Sequence, residues 1–311
     1  MTGPDRSEID EAVQALKAGG LVILPTETVY GLAADAANPE AIARIYEAKG
    51  RPRFNPLIAH VTGRAMAEAI APLPGQAARL ADAFWPGPLT LVTPISDRAA
   101  VCDLARAGLD TVALRAPAHP VAQAVISAFG APVCAPSANR SGRPSPTLYA
   151  DAVEETGAAA AIALDGGPCA VGLESTVVAV IDGAARLLRP GGLERSAIEA
   201  LIGPLEAGPE DAHRSPGRLT LHYAPRAPVR LDAATPREGE AWLAFGAAAP
   251  AAATFNLSPT GDLREAAANL FAYLRAADRL DPVAIAVAPI PDHSLGEAIN
   301  DRLRRAAGYT G

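Results

Sequence analysis

The sequence predicts an α/β chain in two units, a larger one with a mixed sheet and a smaller one after it. Three observations carry this. Short apolar runs closed by Gly, Pro or polar residues alternate with stretches of helical spacing. The 311 residues are 50% hydrophobic, enough for a sizeable core and more than one domain. Between Gly203 and Pro228 the pattern lapses into Pro, Gly, Asp, Glu and His, as in a linker, and an α/β pattern then resumes.

Taken in order, the first helix is expected to use Ser7 as cap with Asp10 three positions on, and Ile9, Ala12, Val13 and Leu16 on one face. Gly19 and Gly20 stop it. Residues 21–24 form a short buried strand ended by Pro25. The next helix starts with Asn38 as cap and Pro39 in its first turn, and Ile42, Ile45, Tyr46 and Lys49 share a face. A loop from Gly50 to Pro56 carries Arg51, Arg53 and Asn55 into a strand at 57–61, where alternation sets Ile58 and His60 opposite Leu57, Ala59 and Val61. Further strands are expected at 89–93, 111–115, 132–135, 161–165, 176–181 and 186–189, and helices near 75–85, 121–129 and 148–156. After the linker, strands at 229–232, 241–245, 254–257 and 284–288 and helices at 263–280 and 295–307 make a unit of roughly eighty residues.

Composition excludes several classes. A net charge of -7 argues against tight autonomous nucleic-acid binding, which needs an excess of Lys and Arg. Three cysteines without CxxC spacing suit a reducing compartment, with Cys134 a packed core thiol. No run approaches the ~20 apolar residues of a membrane span, and the start MTGPDRSEID lacks a signal-peptide pattern, so a cytoplasmic protein is expected. The five histidines form no metal motif, and neither a P-loop nor a dinucleotide fingerprint occurs.

Four polar clusters lie at strand ends and in Gly/Pro-rich loops, where function concentrates. Thr26-Glu27-Thr28 with Tyr30 follows a buried strand and reads either as a polar turn or as a site. Lys49, Arg51 and Arg53 fall within five residues, as a solvated loop or as a polyphosphate cradle. His60 on its strand is structural or functional. Thr111, Ala113 and Arg115 share a strand face, and Arg115 needs an anion: a structural Asp or Glu, or a substrate carboxylate. The segment from Pro136 to Thr147 has no large apolar residue, and its serines and amides suit phosphate or ribose oxygens. These residues point to an anionic ligand such as a nucleotide, together with a small polar substrate.

Seven ordered strings resemble the threonylcarbamoyl-adenylate synthase family: PTETVYGLAADA, YEAKGRPRFNPLIAHV, FWPGPLTLV, GLDTVALRAPAHP, APSANRSGRPSPT, GLESTVV and LLRPGG. The string SPGRLTLHYAP and the second unit resemble its longer form, although Leu221 stands where such proteins tend to carry a basic residue before the His-Tyr pair. The resemblance implies a YrdC-like twisted mixed sheet flanked by helices, plus a smaller C-terminal Rossmann-like α/β domain. It divides the chain into a catalytic domain (1–205), a linker or lid (206–228) and the C-terminal domain (229–311). It further implies an L-threonine pocket of Thr28, His60, Arg115, Ala135 through its backbone, and Ser175. The implied ATP site is Arg51, Asn55, Thr111, Ser137, Ser145 and Arg189, with Lys49 joining Arg51 on the phosphates as the catalytic pair. Mg²⁺ would come with ATP, bicarbonate would supply the carbamate carbon, and the product would pass to tRNA threonylcarbamoyl-transfer machinery.

Related domains that adenylate a carbamoyl group sit in much longer chains with Cys clusters, which three scattered cysteines do not match. A non-catalytic RNA-binding protein conflicts with the acidic balance, and an inactive scaffold with the full motif set. Leu219, Leu221, His222 and Tyr223 are too apolar for a flexible spacer, so residues 215–225 are expected to pack over the pocket mouth as a lid.

Overall fold

The computed structural model describes residues 4–52, 54–206, 222–247 and 254–308. The first unit runs α1 (Arg6–Lys17), β1 (Val22–Leu24), β2 (Gly31–Asp35), α2 (Pro39–Lys49), β3 (Ile58–His60), α3 (Arg64–Ile70), α4 (Gln76–Phe84), β4 (Leu89–Pro94) and β5 (Thr111–Arg115). It continues with α5 (Pro120–Phe129), β6 (Val133–Cys134), α6 (Tyr149–Thr156), β7 (Ile162–Ala163), β8 (Thr176–Ile181), β9 (Ala184–Arg189) and α7 (Arg195–Ile202). Its strands form one mixed sheet in the order β7-β1-β2-β6-β3-β5-β4-β8-β9.

Helices cover the sheet through alternate residues. Ile23 packs with Ile42 and Ile45 of α2, while Val22 and Leu24 pack with Leu16 of α1 and Val125 of α5. Ile58, Val92, Ala113 and Val177 form a cluster fed by strands alone, a floor without a helix across it. In the middle of the sheet β3 lies parallel to β5 and antiparallel to β6, so His60 stands opposite both Arg115 and Val133. Open α/β sheets hold ligands beyond the carboxyl ends of their parallel strands, and that is where His60 and Arg115 stand.

Two local expectations change. Asp5, not Ser7, caps α1: its carboxylate accepts from Glu8 N, and the Glu8 side chain returns to Asp5 N. This reciprocal box satisfies two terminal donors at once. The segment Gly31–Asp35 is a strand that its Ala-rich composition does not announce; β1 and β6 pair with it on either side. The Asn38 cap stands as expected, accepting from Glu40 N and Ala41 N.

The second unit has β10 (Val229–Arg230), β11 (Glu240–Ala244), β12 (Phe255–Asn256), α8 (Leu263–Asp278), β13 (Ala284–Val287) and α9 (Gly296–Ala306). Its sheet is parallel throughout, in the order β10-β13-β11-β12. It docks on the first unit through both apolar and charged groups. Val29 and Leu173 enter the core made by Tyr223, Leu270 and Phe271. Arg275 of α8 reaches Glu155 at 2.9 Å, and Arg302 of α9 reaches Glu174 at 2.8 Å. Among the described residues no helix is long and apolar enough to cross a membrane.

Candidate active site

A cavity opens above the ends of β3 and β5, bounded by Arg51, Ile58, His60, Arg115, Ala135, Ser137, Glu174, Ser175, Arg189, His222 and Tyr223. Polar residues separated by more than 170 positions thus share one wall. The sequence reading nominated nine of these eleven.

At one end Arg115 is almost wholly buried. Its Nη2 donates to Glu27 Oε1 at 2.6 Å, Nη1 to Thr28 Oγ1 at 2.8 Å, and Nε to the Gly87 carbonyl at 3.3 Å. The anion that a buried strand arginine requires is therefore present within the chain as Glu27. A guanidinium has five N–H groups, and these bonds use three, so donors remain for a second carboxylate. Beside it, His60 Nδ1 lies 3.1 Å from the Ile58 carbonyl. Burial, helped by the Arg115 charge, pushes its pKa down to about 3, so the imidazole is neutral. Ser175 Oγ and Thr90 Oγ1 are 2.7 Å apart, and Arg189 Nη2 donates to the Ser175 carbonyl at 2.9 Å.

The other end is cationic. Arg51 donates from Nη2 to the Pro56 carbonyl at 3.3 Å, and its buried Nε has no hydrogen-bond partner among the described residues. His222 Nδ1 is buried and likewise unpartnered there. Burial lowers the His222 pKa to about 3, with Arg51 and Lys49 adding to the effect against Glu174. A buried polar atom with no partner costs on the order of 1–3 kcal/mol, which a ligand contact would recover.

Lys49 does not reach the cavity wall. Its ammonium donates to the carbonyls of Ser137 and Asn139, so it holds the turn that follows β6. Burial, then repulsion from Arg51, sets its pKa well below the usual lysine value. Asn55, Thr111 and Ser145 also stand off the wall. The Asn55 carbonyl accepts from Tyr46. Thr111 begins the strand that Arg115 ends, about 13 Å away at the rise of a strand. Ser145 Oγ donates to Glu174 Oε1 at 2.5 Å.

His222 and Tyr223 close the cavity. Their rings meet edge to face at 4.0 Å, and Tyr223 stacks on Phe271 at 5.4 Å. The cavity beneath measures about 50 Å³, whereas small-molecule sites typically span about 300–1,000 Å³. Of the stretch expected to act as a lid, residues 215–221 lie outside the described residues, as does Arg53.

Sequence reasoning missed Glu174 and Arg302 as parts of this wall and its support, and Glu27 as the Arg115 partner. Glu27 and Glu174 stand inside strings singled out above, so adjacency to the nominated threonine and serine was an available signal. For Arg302, on an ordinary amphipathic helix, there was none.

Residues 14–191 match the Sua5-YciO-YrdC family model, described as telomere recombination, and residues 193–308 match the model for the threonylcarbamoyl-AMP synthase C-terminal domain. The chain is 38% identical to a threonylcarbamoyl-AMP synthase of Bacillus subtilis, over 97% of this chain and 93% of that one.

The chain belongs to the threonylcarbamoyl-AMP synthase family.

A Pyrococcus abyssi family member is 40% identical over 94% of this chain and 92% of its own. The crystal structure of P. abyssi Sua5 complexed with L-threonine superposes with a TM-score of 0.90, at 38% identity, covering 98% of this chain and 95% of that one. A further structure of the same Pyrococcus protein carries alanine at two adjacent positions, one a histidine and one a tyrosine. Full-length HypF, at 20% identity and a TM-score of 0.51 over 59% of this chain and 29% of its own, shares the fold. Both family models fit the two-domain architecture, the mixed sheet followed by a small α/β unit.

Proposed function

We infer that the chain makes threonylcarbamoyl-adenylate and pyrophosphate from L-threonine, bicarbonate and ATP, for threonylcarbamoyladenosine modification of tRNA. The observation that carries this is the two-ended cavity: a carboxylate-seeking end at His60 and Arg115, which Thr28 backs from behind the wall, meets a polyphosphate-seeking end at Arg51, with Arg189 on the same wall beside Ser175. The Pyrococcus relative complexed with L-threonine supports the first end.

In this reading threonine rests on Thr28, His60, Arg115, the Ala135 backbone and Ser175. Arg115 takes the substrate carboxylate with the N–H groups that Glu27 and Thr28 leave over. Neutral His60 adds no charge that would compete for that carboxylate. ATP lies across the strand-only floor, using Arg51, Asn55, Thr111, Ser137, Ser145 and Arg189. Arg51 meets the phosphates directly, and Lys49 acts from behind it by fixing the Ser137–Asn139 turn. Bicarbonate takes up a proton and loses water to give carbon dioxide, and the threonine amine adds to its carbon and loses a proton, giving a carbamate. A carbamate oxygen then bonds to the α-phosphorus as the bond to pyrophosphate breaks. Positioning and charge neutralisation carry such a transfer, with no covalent enzyme intermediate.

Among the described residues no three His, Cys, Asp or Glu side chains come together as a metal site. Mg²⁺ is read as part of the nucleotide substrate, held on its phosphates. The division into a catalytic domain (1–205), a lid (206–228) and a C-terminal domain (229–311) belongs to the same reading. His222 and Tyr223 cap the cavity as the visible end of the lid, and must lift to admit ATP. The only His-Tyr pair of this chain stands there, the residue types replaced in the Pyrococcus variant. The enzyme would work in the cytoplasm and deliver its product to a tRNA-transfer partner.

Pyrophosphate release with MgATP, omitting threonine and bicarbonate in turn, tests this. Release should require both. Equal release from carbamoyl phosphate without threonine would favour the carbamoyl-adenylating alternative instead.

A further inference from the structure

Arg302 lies on α9, in the C-terminal domain, yet has no exposed surface, and two of its three hydrogen-bond partners lie across the interface. Its Nε donates to Glu174 Oε2 at 2.8 Å, its Nη2 to the Pro190 carbonyl at 3.0 Å, and its Nη1 to the neighbouring Asp301. The guanidinium carbon sits 5.2 Å from the centre of the Tyr223 ring. The other Glu174 oxygen accepts from Ser145 Oγ at 2.5 Å. Burial alone would raise the Glu174 pKa, but Arg302 and Arg189 outweigh it and hold the value at about 2. An ionised carboxylate only accepts hydrogen bonds, and a serine hydroxyl has one proton to give. The contact therefore consumes the Ser145 proton.

We propose that Arg302 is a positioning residue for the nucleotide: it fixes Glu174, and Glu174 turns Ser145 into a dedicated hydrogen-bond acceptor. The proposal rests on the ATP-site reading above and deepens it: Ser145, fully buried and off the wall of the closed cavity, meets the nucleotide once the His222-Tyr223 cap lifts. Phosphate oxygens carry no proton to offer such a serine, whereas a ribose hydroxyl or the base amine does. Ser145 thus reads the nucleoside part of ATP, and the phosphates are left to the arginines. The C-terminal domain thereby shares in substrate recognition through one buried side chain, without touching substrate itself. Arg275 supports the same loop, donating to Glu155 and to the Pro144 carbonyl next to Ser145.

The test is calorimetric titration of the full chain with AMP, with inorganic pyrophosphate and with L-threonine. Ser145→Ala, Glu174→Gln and Arg302→Gln should each weaken AMP about tenfold, the scale of one hydrogen bond to a charged or well-placed group. Pyrophosphate and threonine should stay within about twofold. Added to Ser145→Ala, Arg302→Gln should cost little more AMP affinity. Undiminished AMP affinity in Arg302→Gln, equal losses for all three ligands, or a full second loss in the double variant would overturn the proposal. Should Arg302→Gln fail to fold, the isosteric Glu174→Gln carries the same comparison. A wild-type chain that binds neither AMP nor pyrophosphate would sink the ATP-site reading, and this proposal with it.

Discussion

At the scale of single residues, the proposed chemistry turns on a cation that already holds one anion and would receive a second. Arg115 is paired within the chain to Glu27, which also accepts from Ala118 N at 3.0 Å. Such a pair holds the guanidinium in one plane, so a substrate carboxylate meets a preoriented donor rather than a flexible one. Arg115→Ala should therefore weaken threonine binding by roughly 2–4 kcal/mol while nucleotide binding changes far less. It should also lower the melting temperature, because it leaves Glu27 buried without its cation. The two effects separate in the double variant Arg115→Met, Glu27→Gln. That chain should regain thermal stability and still bind threonine poorly by calorimetry. Full threonine affinity in either folded variant would make Arg115 a structural partner of Glu27 and nothing more.

At the scale of elements, legibility followed how much of each element is decided locally. The strands Thr111–Arg115 and Thr176–Ile181 were readable because β-branched and apolar residues alternate or run together there. Gly31–Asp35 was not, because two alanines between Leu32 and Asp35 show no period-two alternation, and pairing with β1 and β6 makes the strand. The site divided the same way. Arg51, His60 and Arg115 stood out as polar residues inside apolar or Gly/Pro-rich strings, but the bond between Glu174 and Arg302 spans 128 positions and no local pattern announces it. Gly172, inside the string GLESTVV, joins the two scales. It has φ +74°, and a Cβ there would lie 2.4 Å from Ala268 Cα and 2.5 Å from the Ala267 carbonyl oxygen on α8. Gly172→Ala should push α8 off the first domain and cost roughly 1–3 kcal/mol of stability beyond the strain of its positive φ. Gly183→Ala shares that strain (φ +80°) but meets nothing within 4 Å, and serves as the control. Denaturant unfolding of both variants checks it; equal losses would mean that close helix approach contributes nothing.

At the scale of the whole molecule, the second domain packs against the cavity wall and braces it from behind. It brings Arg275 and Arg302 to the buried carboxylates Glu155 and Glu174. It also brings Leu270 and Phe271 against Val29 and Leu173, with Tyr223 packed between that core and the cavity. Consider a chain ending at Leu205. Glu155 loses Arg275 but keeps Arg143 at 3.0 Å, and Glu174 loses Arg302; the covering domain leaves with those cations, so water replaces the lost pairing and the desolvation cost of an orphaned buried charge does not arise. The mixed sheet keeps its own helices and core. Val29 and Leu173 become exposed, a modest apolar loss of about 25 cal/mol per Å² uncovered. The shortened chain should therefore fold, melting cooperatively at a lower temperature. What it loses is the cap over the cavity and the fixed Glu174, hence water exclusion and nucleotide placement together. Synthesis of threonylcarbamoyl-adenylate should fall steeply, and what forms should escape and hydrolyse, because a mixed anhydride left in water is short-lived. Quantifying intact and hydrolysed product over time in both chains decides the matter. Equal synthesis and equal retention by the shortened chain would show that the lid and the C-terminal domain serve some other purpose than catalysis.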